Sequence, residues 1–215
     1  MDFGSKFMKI SAQDPDTTSS GKLVYQLKGP IVPSRNSEGL ENINDPPFLV
    51  DPKSGQIGLN FDPQKGMKGY FDFDVRVTDP MGHTDESKVQ IYLLREDQRV
   101  KFVMRSQPHE IRSKVDNFTD ALAFITESVV NVDGYKLHES LEDGTVDKTK
   151  TDVLTHFVDP KDNTVREVDF VLKLIDYHTE ELDGLFKDFN VLLVERASPL
   201  NAYASLTSNP DGSEV

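Results

Sequence analysis

Three aspartates stand where their carboxylates could hold a metal ion. Asp14 and Asp16 are one residue apart, and Asp79 ends a distant strand-like segment. Calcium takes about six to eight oxygen ligands, several of them carboxylates. Two aspartates one residue apart at a strand end place both carboxylates near one site, and a third from a distant strand end could complete it. A solvated turn rich in aspartate is the alternative interpretation.

The other residues that could do chemistry form no catalytic pattern. The histidines lie in separate segments, and the sequence contains neither His-Glu-x-x-His nor Gly-x-Ser-x-Gly. We therefore predict that the chain is not an enzyme and that its histidines are scattered and solvated. They are His83, His109, His138, His156 and His178.

One self-cleaving alternative has a basis in the sequence. The segment Glu127-Ser128-Val129-Val130 faintly resembles the Gly-Ser-Val-Val-Val motif of mucin-type SEA domains, where strain at the Gly-Ser bond drives attack by serine. Glutamate in place of glycine makes that strained backbone less accessible. The motif also follows a predicted helix instead of lying in a hairpin, so autoproteolysis is the less favoured interpretation.

Composition limits the classes of protein further. The chain has 215 residues, a formal net charge of −13 and no cysteine. The charge disfavours nucleic acid and anionic lipid as partners, and the lack of cysteine excludes disulfide scaffolds and zinc–thiolate sites. No apolar run approaches the about 18 residues that cross a membrane, and no signal peptide opens the chain. We expect Met1 to begin an excised fragment.

The hydrophobic pattern changes near Arg95. Before it, short alternating segments separated by Pro, Gly, Asn and Asp predict the half-buried strands of a β-sandwich. Residues 30–47 lack periodicity and predict an irregular loop. After it, strand-like segments alternate with two helical stripes, the second beginning at Val168, in the order βαββαβ. This is the ferredoxin-like order of an α+β domain.

The first half resembles an extracellular cadherin repeat. The similar segments are residues 7–16, which end in Asp-x-Asp, residues 21–25, residues 48–57 and residues 73–79. The resemblance implies an all-β Greek-key sandwich. It also implies that Asp14, Asp16 and Asp79 bind Ca²⁺ at the top of the repeat, with further ligands from a preceding repeat.

Departures from the cadherin pattern restrict this prediction. We expect the family's first strand, with its calcium-binding glutamate, to precede this chain, and the glutamate of the Asp-Arg-Glu motif is missing near residues 61–65. The acidic linker after Leu94 is replaced by a segment that contains Arg95 and Arg99. Since two arginines beside few carboxylates bind a divalent cation poorly, we expect no calcium cluster at the lower end of the repeat.

The second half resembles the membrane-adjacent domain of tip-link cadherins, on residues 91–101, 130–133 and 185–192. The resemblance implies an extracellular, tension-bearing and adhesive function, as in the tip links of hair cells, in a single-pass type I membrane protein whose transmembrane helix follows this chain. The implied partners are a preceding cadherin repeat, a second copy in a parallel homodimer and components of a membrane channel complex. A passive structural spacer is the alternative.

These patterns predict two domains. Residues 1–95 form the cadherin sandwich, residues 96–198 form the ferredoxin-like domain, and residues 199–215 are a juxtamembrane linker, since they are rich in Ser, Asn, Pro and Ala.

Two surface features complete the expectations. Asn117 begins an N-glycosylation sequon and points away from the apolar stripe of the first helix, so we expect a glycan there; an unused sequon is the alternative. Phe170 and Leu174 lie partly off the stripe of the second helix and predict an interaction site. That site serves either a homodimer or packing against the cadherin repeat.

Overall fold

The structure is a computed structural model that describes residues 3–13, 22–140 and 144–197. The chain divides into two units, Met1–Arg95 and Glu96–Val215. Asp14 and Asp16 lie outside the described residues, as does the predicted linker.

The first unit is built from antiparallel strands. They are β1 (Lys6–Lys9), β2 (Val24–Lys28), β3 (Phe48–Val50), β4 (Gln56–Leu59), β5 (Gly69–Thr78) and β6 (Thr84–Leu93). In the described residues they form one sheet of order β1-β4-β3 and a second of order β2-β5-β6. The mainly β architecture that the alternation predicts is confirmed.

Phe48 holds the two sheets of the first unit together. Its ring is fully buried and lies 4.9 Å from the ring of Phe71 and 5.5 Å from that of Phe73, centroid to centroid. Phe48 belongs to one sheet, and Phe71 and Phe73 to the other, so both sheets share one aromatic core. The loop of residues 30–47 is irregular, as predicted, but Ile31 and Leu40 anchor it in that core.

The second unit alternates strands and helices. After a 3₁₀ turn at Glu96–Gln98 come β7 (Val100–Met104), α1 (Pro108–Arg112), α2 (Val115–Thr126), β8 (Val129–Glu139), β9 (Val146–Val158), α3 (Val168–Tyr177), α4 (Thr179–Asp188) and β10 (Val191–Arg196). The strands form an antiparallel sheet of order β10-β7-β9-β8. Helical side chains pack on the face that carries Val100, Phe102 and Met104.

Each predicted helix is divided into two. The second breaks at His178, which adopts φ −97° and ψ 21° between α3 and α4. The hydroxyl of Thr179 donates a hydrogen bond to the carbonyl oxygen of Asp176 at 2.6 Å, and such side-chain bonds compete with the helical ladder. The break allows Ile175 of α3 and Leu182 of α4 both to reach the core.

A left-handed residue ends α2. Glu127 has a φ of 47°, and the N–H of Ser128 donates to the carbonyl oxygen of Ala123, which closes the last turn. Glycine is the usual residue at this position, because a Cβ clashes with the backbone there. The guanidinium of Arg166 donates to the carbonyl oxygen of Glu127 at 3.0 Å and secures the turn.

Replacing Glu127 with glycine is expected to raise the free energy of unfolding of the second unit by about 0.5–1 kcal/mol. Relief of the left-handed strain outweighs the added freedom of the unfolded chain. Chemical denaturation measures the change. Asn190→Gly is the control: Asn190 also has a positive φ, but asparagine tolerates that region, so its gain should be smaller. A clear loss of stability in Glu127→Gly contradicts the strain argument.

Candidate calcium site

Asp79 directly follows β5 and closes the turn into β6. Its Oδ1 accepts the backbone N–H groups of Met81 and His83, each at 2.8 Å. Its Oδ2 lies 2.9 Å from Nδ1 of His83. These bonds give Asp79 a structural role in the turn whether or not a cation is present.

The charge of Asp79 is maintained in the folded chain. Desolvation alone raises the pKa of Asp79, but hydrogen bonds from the side chain and backbone of His83 and from the backbone of Met81 outweigh it, so the pKa lies below its ordinary value. Because the folded pKa is lowered, the stabilisation is complete above the ordinary carboxyl pKa. It is lost as the pH falls through the lowered value. At neutral pH the site therefore presents a carboxylate.

A cavity of about 500 Å³ lies between this turn and the residues from Ile10 to Gln13. Ile10, Ala12 and Gln13 line one side, and Asp79 and His83 line the other. Asp79 is therefore at the same end of the first unit as Gln13, which directly precedes Asp14 in the sequence. The convergence of Asp14 and Asp16 with Asp79 stays a prediction.

The described residues do not assemble a complete metal site. Within residues 3–13, 22–140 and 144–197, no group of three or more His, Asp or Glu side chains could hold a metal ion. Arg95 lies 2.9 Å from a carboxylate oxygen of Glu38, whose other oxygen is 2.7 Å from Lys68. The hydrogen bond from Lys68 is the main cause that lowers the pKa of Glu38.

His156 is buried and His138 is partly buried, which corrects the prediction that the histidines are solvated. Nδ1 of His156 lies 2.8 Å from Oδ1 of Asp133, and Nδ1 of His138 lies 2.7 Å from Oδ1 of Asp152. Each pair joins β8 to β9. The reason is that both histidines have a carboxylate across the strand pair that satisfies the ring nitrogen on burial.

Lys101 is the most unexpected residue of this sheet, being only 4% exposed. Its Nζ lies 2.7 Å from Oε1 of Glu195 and 3.6 Å from Oδ2 of Asp152, which also contacts His138. We call these four residues the sheet ion group; each comes from a different strand. Sequence reasoning missed the group, although a lysine between Val100 and Phe102 in a strand is a usable signal.

The predicted surface residues are all in helices of the second unit. Asn117 is exposed on α2, and the hydroxyl of Thr119 donates to the carbonyl oxygens of Val115 and Asp116. On α3, Phe170 is 50% exposed with the guanidinium of Arg166 5.1 Å from its ring centre, and Leu174 is half-buried.

In the described part of the second unit, two further exposed aromatic residues were not anticipated. Phe124 on α2 is 87% exposed, and Tyr177 at the end of α3 is 83% exposed. Tyr177 is seven residues after Phe170, so the two rings and Leu174 share a face of α3.

The segment compared with SEA domains is a helix end. Ser128 is buried, and its hydroxyl donates to the carbonyl oxygen of Thr126 at 2.9 Å. Its proton is therefore directed to a carbonyl oxygen and not to a base. The segment runs from the end of α2 into β8: Glu127 and Ser128 follow the helix, as the sequence indicates, and Val129 and Val130 are the first residues of β8.

Part of the chain is similar to known proteins. Residues 71–176 match the family model of the Cadherin-23 alpha/beta domain. Cadherin-23 of Rattus norvegicus, Mus musculus and Homo sapiens is 38% identical to this chain over 129 residues, which is 60% of this chain. Over this region the chain is similar to cadherin-23. It spans about 4% of the length of these curated relatives.

The match to cadherin-23 corrects one expectation. From the sequence alone we favour protocadherin-15 over cadherin-23 as the tip-link cadherin that the chain resembles. The comparisons support cadherin-23 instead. The matched region begins in β5 and ends in α3, so it contains the turn of Asp79 as well as most of the second unit.

Two solved cadherin structures are weakly similar. PcdhgB3 EC1-4 is 13% identical with a TM-score of 0.31, covering 72% of this chain and 36% of that one. The human Desmocollin-1 ectodomain is 14% identical with a TM-score of 0.30, covering 72% and 30%. Neither score carries an argument about the fold. Among the described helices, none has the length and apolarity to cross a membrane.

Replacing Lys101 with methionine is expected to destabilise the second unit by about 2–4 kcal/mol, because it leaves the buried Asp152 without its cation. Thermal and chemical denaturation measure the loss. Lys187→Met is the control, since Lys187 is exposed and pairs with Asp183 one helical turn away, where the cost should stay below about 0.5 kcal/mol. Equal losses in both variants contradict a special role for the sheet ion group.

Proposed function

We propose that the chain is a membrane-proximal piece of a calcium-dependent cadherin ectodomain that bears tension and mediates adhesion outside the cell. The match of residues 71–176 to the Cadherin-23 alpha/beta domain carries the proposal. A transmembrane helix beyond this chain and contacts with a membrane channel complex belong to the same proposal. A passive spacer between a cadherin repeat and the membrane is the alternative.

We infer that the second unit is ferredoxin-like. Numbered within the unit, its strands lie in the order 4-1-3-2, with helices between the first and second strands and between the third and fourth. This order and these crossovers are those of the split βαβ arrangement, which supports the inference.

The first and last strands of the second unit are neighbours in its sheet, and this determines how tension would act on the unit. β7 and β10 are antiparallel neighbours, and Arg196 pairs with Val100. The chain therefore enters and leaves the sheet at the same end. Tension across the unit would separate β7 from β10 one hydrogen bond at a time, beginning at this end. If the unit bears tension, the contacts that resist the separation of β7 from β10 must be concentrated at this end.

Polar contacts are concentrated at this end. The N–H of Ala197 donates to the carbonyl oxygen of Arg99 at 3.0 Å, Lys101 pairs with Glu195, and Arg196 pairs with Asp169 of α3. The third contact ties β10 to a helix as well as to β7. A separating force must break ionic contacts together with the first ladder bonds, which supports a tension-bearing function.

Calcium binding at the upper end of the first unit is supported by Asp79. Its carboxylate is charged at neutral pH and lines the same cavity as Gln13, which directly precedes Asp14. Extracellular modules bind calcium with dissociation constants of about 10⁻⁴–10⁻³ M. We place this site at the weak end of that range, because we expect ligands from a preceding repeat.

Asp79→Asn is expected to weaken calcium binding at least about tenfold, because a carboxylate contributes both charge and ligand oxygens. The asparagine Oδ1 still accepts the N–H groups of Met81 and His83, so the turn should persist. Calorimetric titration of the chain with calcium measures the effect. Asp147→Asn removes the same charge from a hydrogen-bonded carboxylate of the second unit and serves as the control. Equal calcium affinity in both variants argues against Asp79 as a ligand.

Phe170→Asp is expected to abolish a concentration-dependent dimer of the chain, because the contact would bury a new charge. Sedimentation velocity over a range of concentrations measures this. Leu49→Asp, at a residue of the first unit that is 51% exposed, is the matched control and should keep the dimer. A chain that is monomeric without substitution contradicts association. A monomer that becomes more extended in Phe170→Asp supports packing against the cadherin repeat instead.

A further inference from the structure

Phe124 is nearly uncovered in the last turn of α2, whose other large apolar residues are packed. Phe118 and Leu122, on the same helix, are fully buried. A single exposed aromatic residue is common on protein surfaces and by itself indicates no partner. A second residue on the same face of α2 is therefore needed to identify what covers Phe124.

Asn117, the sequon asparagine, lies on the same line along α2 as Phe124. The two are seven residues apart, which corresponds to an angular difference of about 20° and a rise of about 10 Å. Side chains of a helix lean toward its N-terminus, so the ring of Phe124 covers the turn on the side of Asn117. The first sugars of an attached glycan can span this distance along the helix.

The surface between these two residues suits a neutral carbohydrate. Ala121 leaves the space above the helix open, and the exposed carboxylates of Asp116 and Asp120 can accept hydrogen bonds from sugar hydroxyls. The helix contains no lysine or arginine that would select an anionic ligand. An aromatic ring beside carboxylate acceptors presents both the apolar and the polar groups that a sugar ring needs.

A protein partner fits this face less well. A standard interface buries about 800 Å² on each partner, whereas this face offers one ring among carboxylates. A glycan attached at Asn117 needs only a weak contact, because its attachment supplies a high effective concentration.

We propose that Asn117 carries a glycan whose first sugars stack on the ring of Phe124 and cover the outer face of α2. The proposal rests on the extracellular location in the proposed function, since N-glycans are added in the secretory pathway. It deepens that function by assigning this face to carbohydrate and leaving α3 for protein contacts.

The test compares Phe124→Ala with and without the glycan, in the full chain secreted from eukaryotic cells. Mass spectrometry establishes whether Asn117 carries the glycan. In the glycosylated chain, Phe124→Ala should lower the melting temperature by about 2–4 °C. In the Asn117→Gln background the same change should have no effect or a small rise, because alanine favours the helix.

Tyr177→Ala is the matched control, since Tyr177 is equally exposed but lies on α3. Its effect should be the same with and without the glycan. A second readout is the ring-current shift of the N-acetylglucosamine protons in NMR spectra, which Phe124→Ala should remove and Tyr177→Ala should preserve.

Each contrary outcome has a distinct meaning. A glycan on Asn117 without a ring-current shift, and with equal effects of Phe124→Ala in both backgrounds, overturns this inference alone. A secreted chain with no glycan on Asn117 overturns both the modification and the inference, but not the calcium site. Self-association of Asn117→Gln that Phe124→Ala removes assigns the face to a second copy and also overturns the inference.

Discussion

The buried ammonium group of Lys101 is the constraint on which the second unit depends. Burying a charge is costly unless partners surround it, and Glu195 of β10 and Asp152 of β9 supply them from the two strands beside β7. The order β10-β7-β9-β8 alone places Glu195 on one side of Lys101 and Asp152 on the other. A slip of one residue in any pairing would turn these side chains to the opposite face. The ion group therefore specifies the register of the sheet, and the apolar face of Phe102 follows from it.

The two units cover the faces of their sheets in different ways. In the first, both sheets bury apolar faces against each other, and Phe48 joins them. In the second, helices cover one face, while the other carries the sheet ion group together with buried apolar residues such as Val103 and Leu154. The helices need only part of their surface for packing. Their outer faces are free to carry residues with no role in the core, such as Asn117 and Phe170, and these are the residues that the proposals on association and carbohydrate use.

The sequence predicts those elements whose pattern is set by burial alone. Alternation in β5 predicts its buried face because a strand between two environments has period two. The break at His178 and the burial of His156 could not be predicted, since both depend on contacts across the fold. The ring of His156 is paired with Asp133, two residues along the neighbouring strand from its register partner Asn131, and no local pattern reports that pairing. Phe124 was missed for the converse reason: it falls outside the stripe that identifies α2.

In the proposed calcium site, Asp79 would serve both the turn and the cation with one carboxylate. Backbone N–H groups use Oδ1, and this fixes the direction in which the carboxylate points. Oδ2 contacts His83, and Asp79 lines the cavity beside Gln13. A cation arriving there would find an oxygen already oriented, which reduces the entropy lost on binding. It would have to displace only the imidazole contact, since the turn is held by the other oxygen. The bonds that stabilise the turn without calcium are thus the same bonds that would orient a ligand for it.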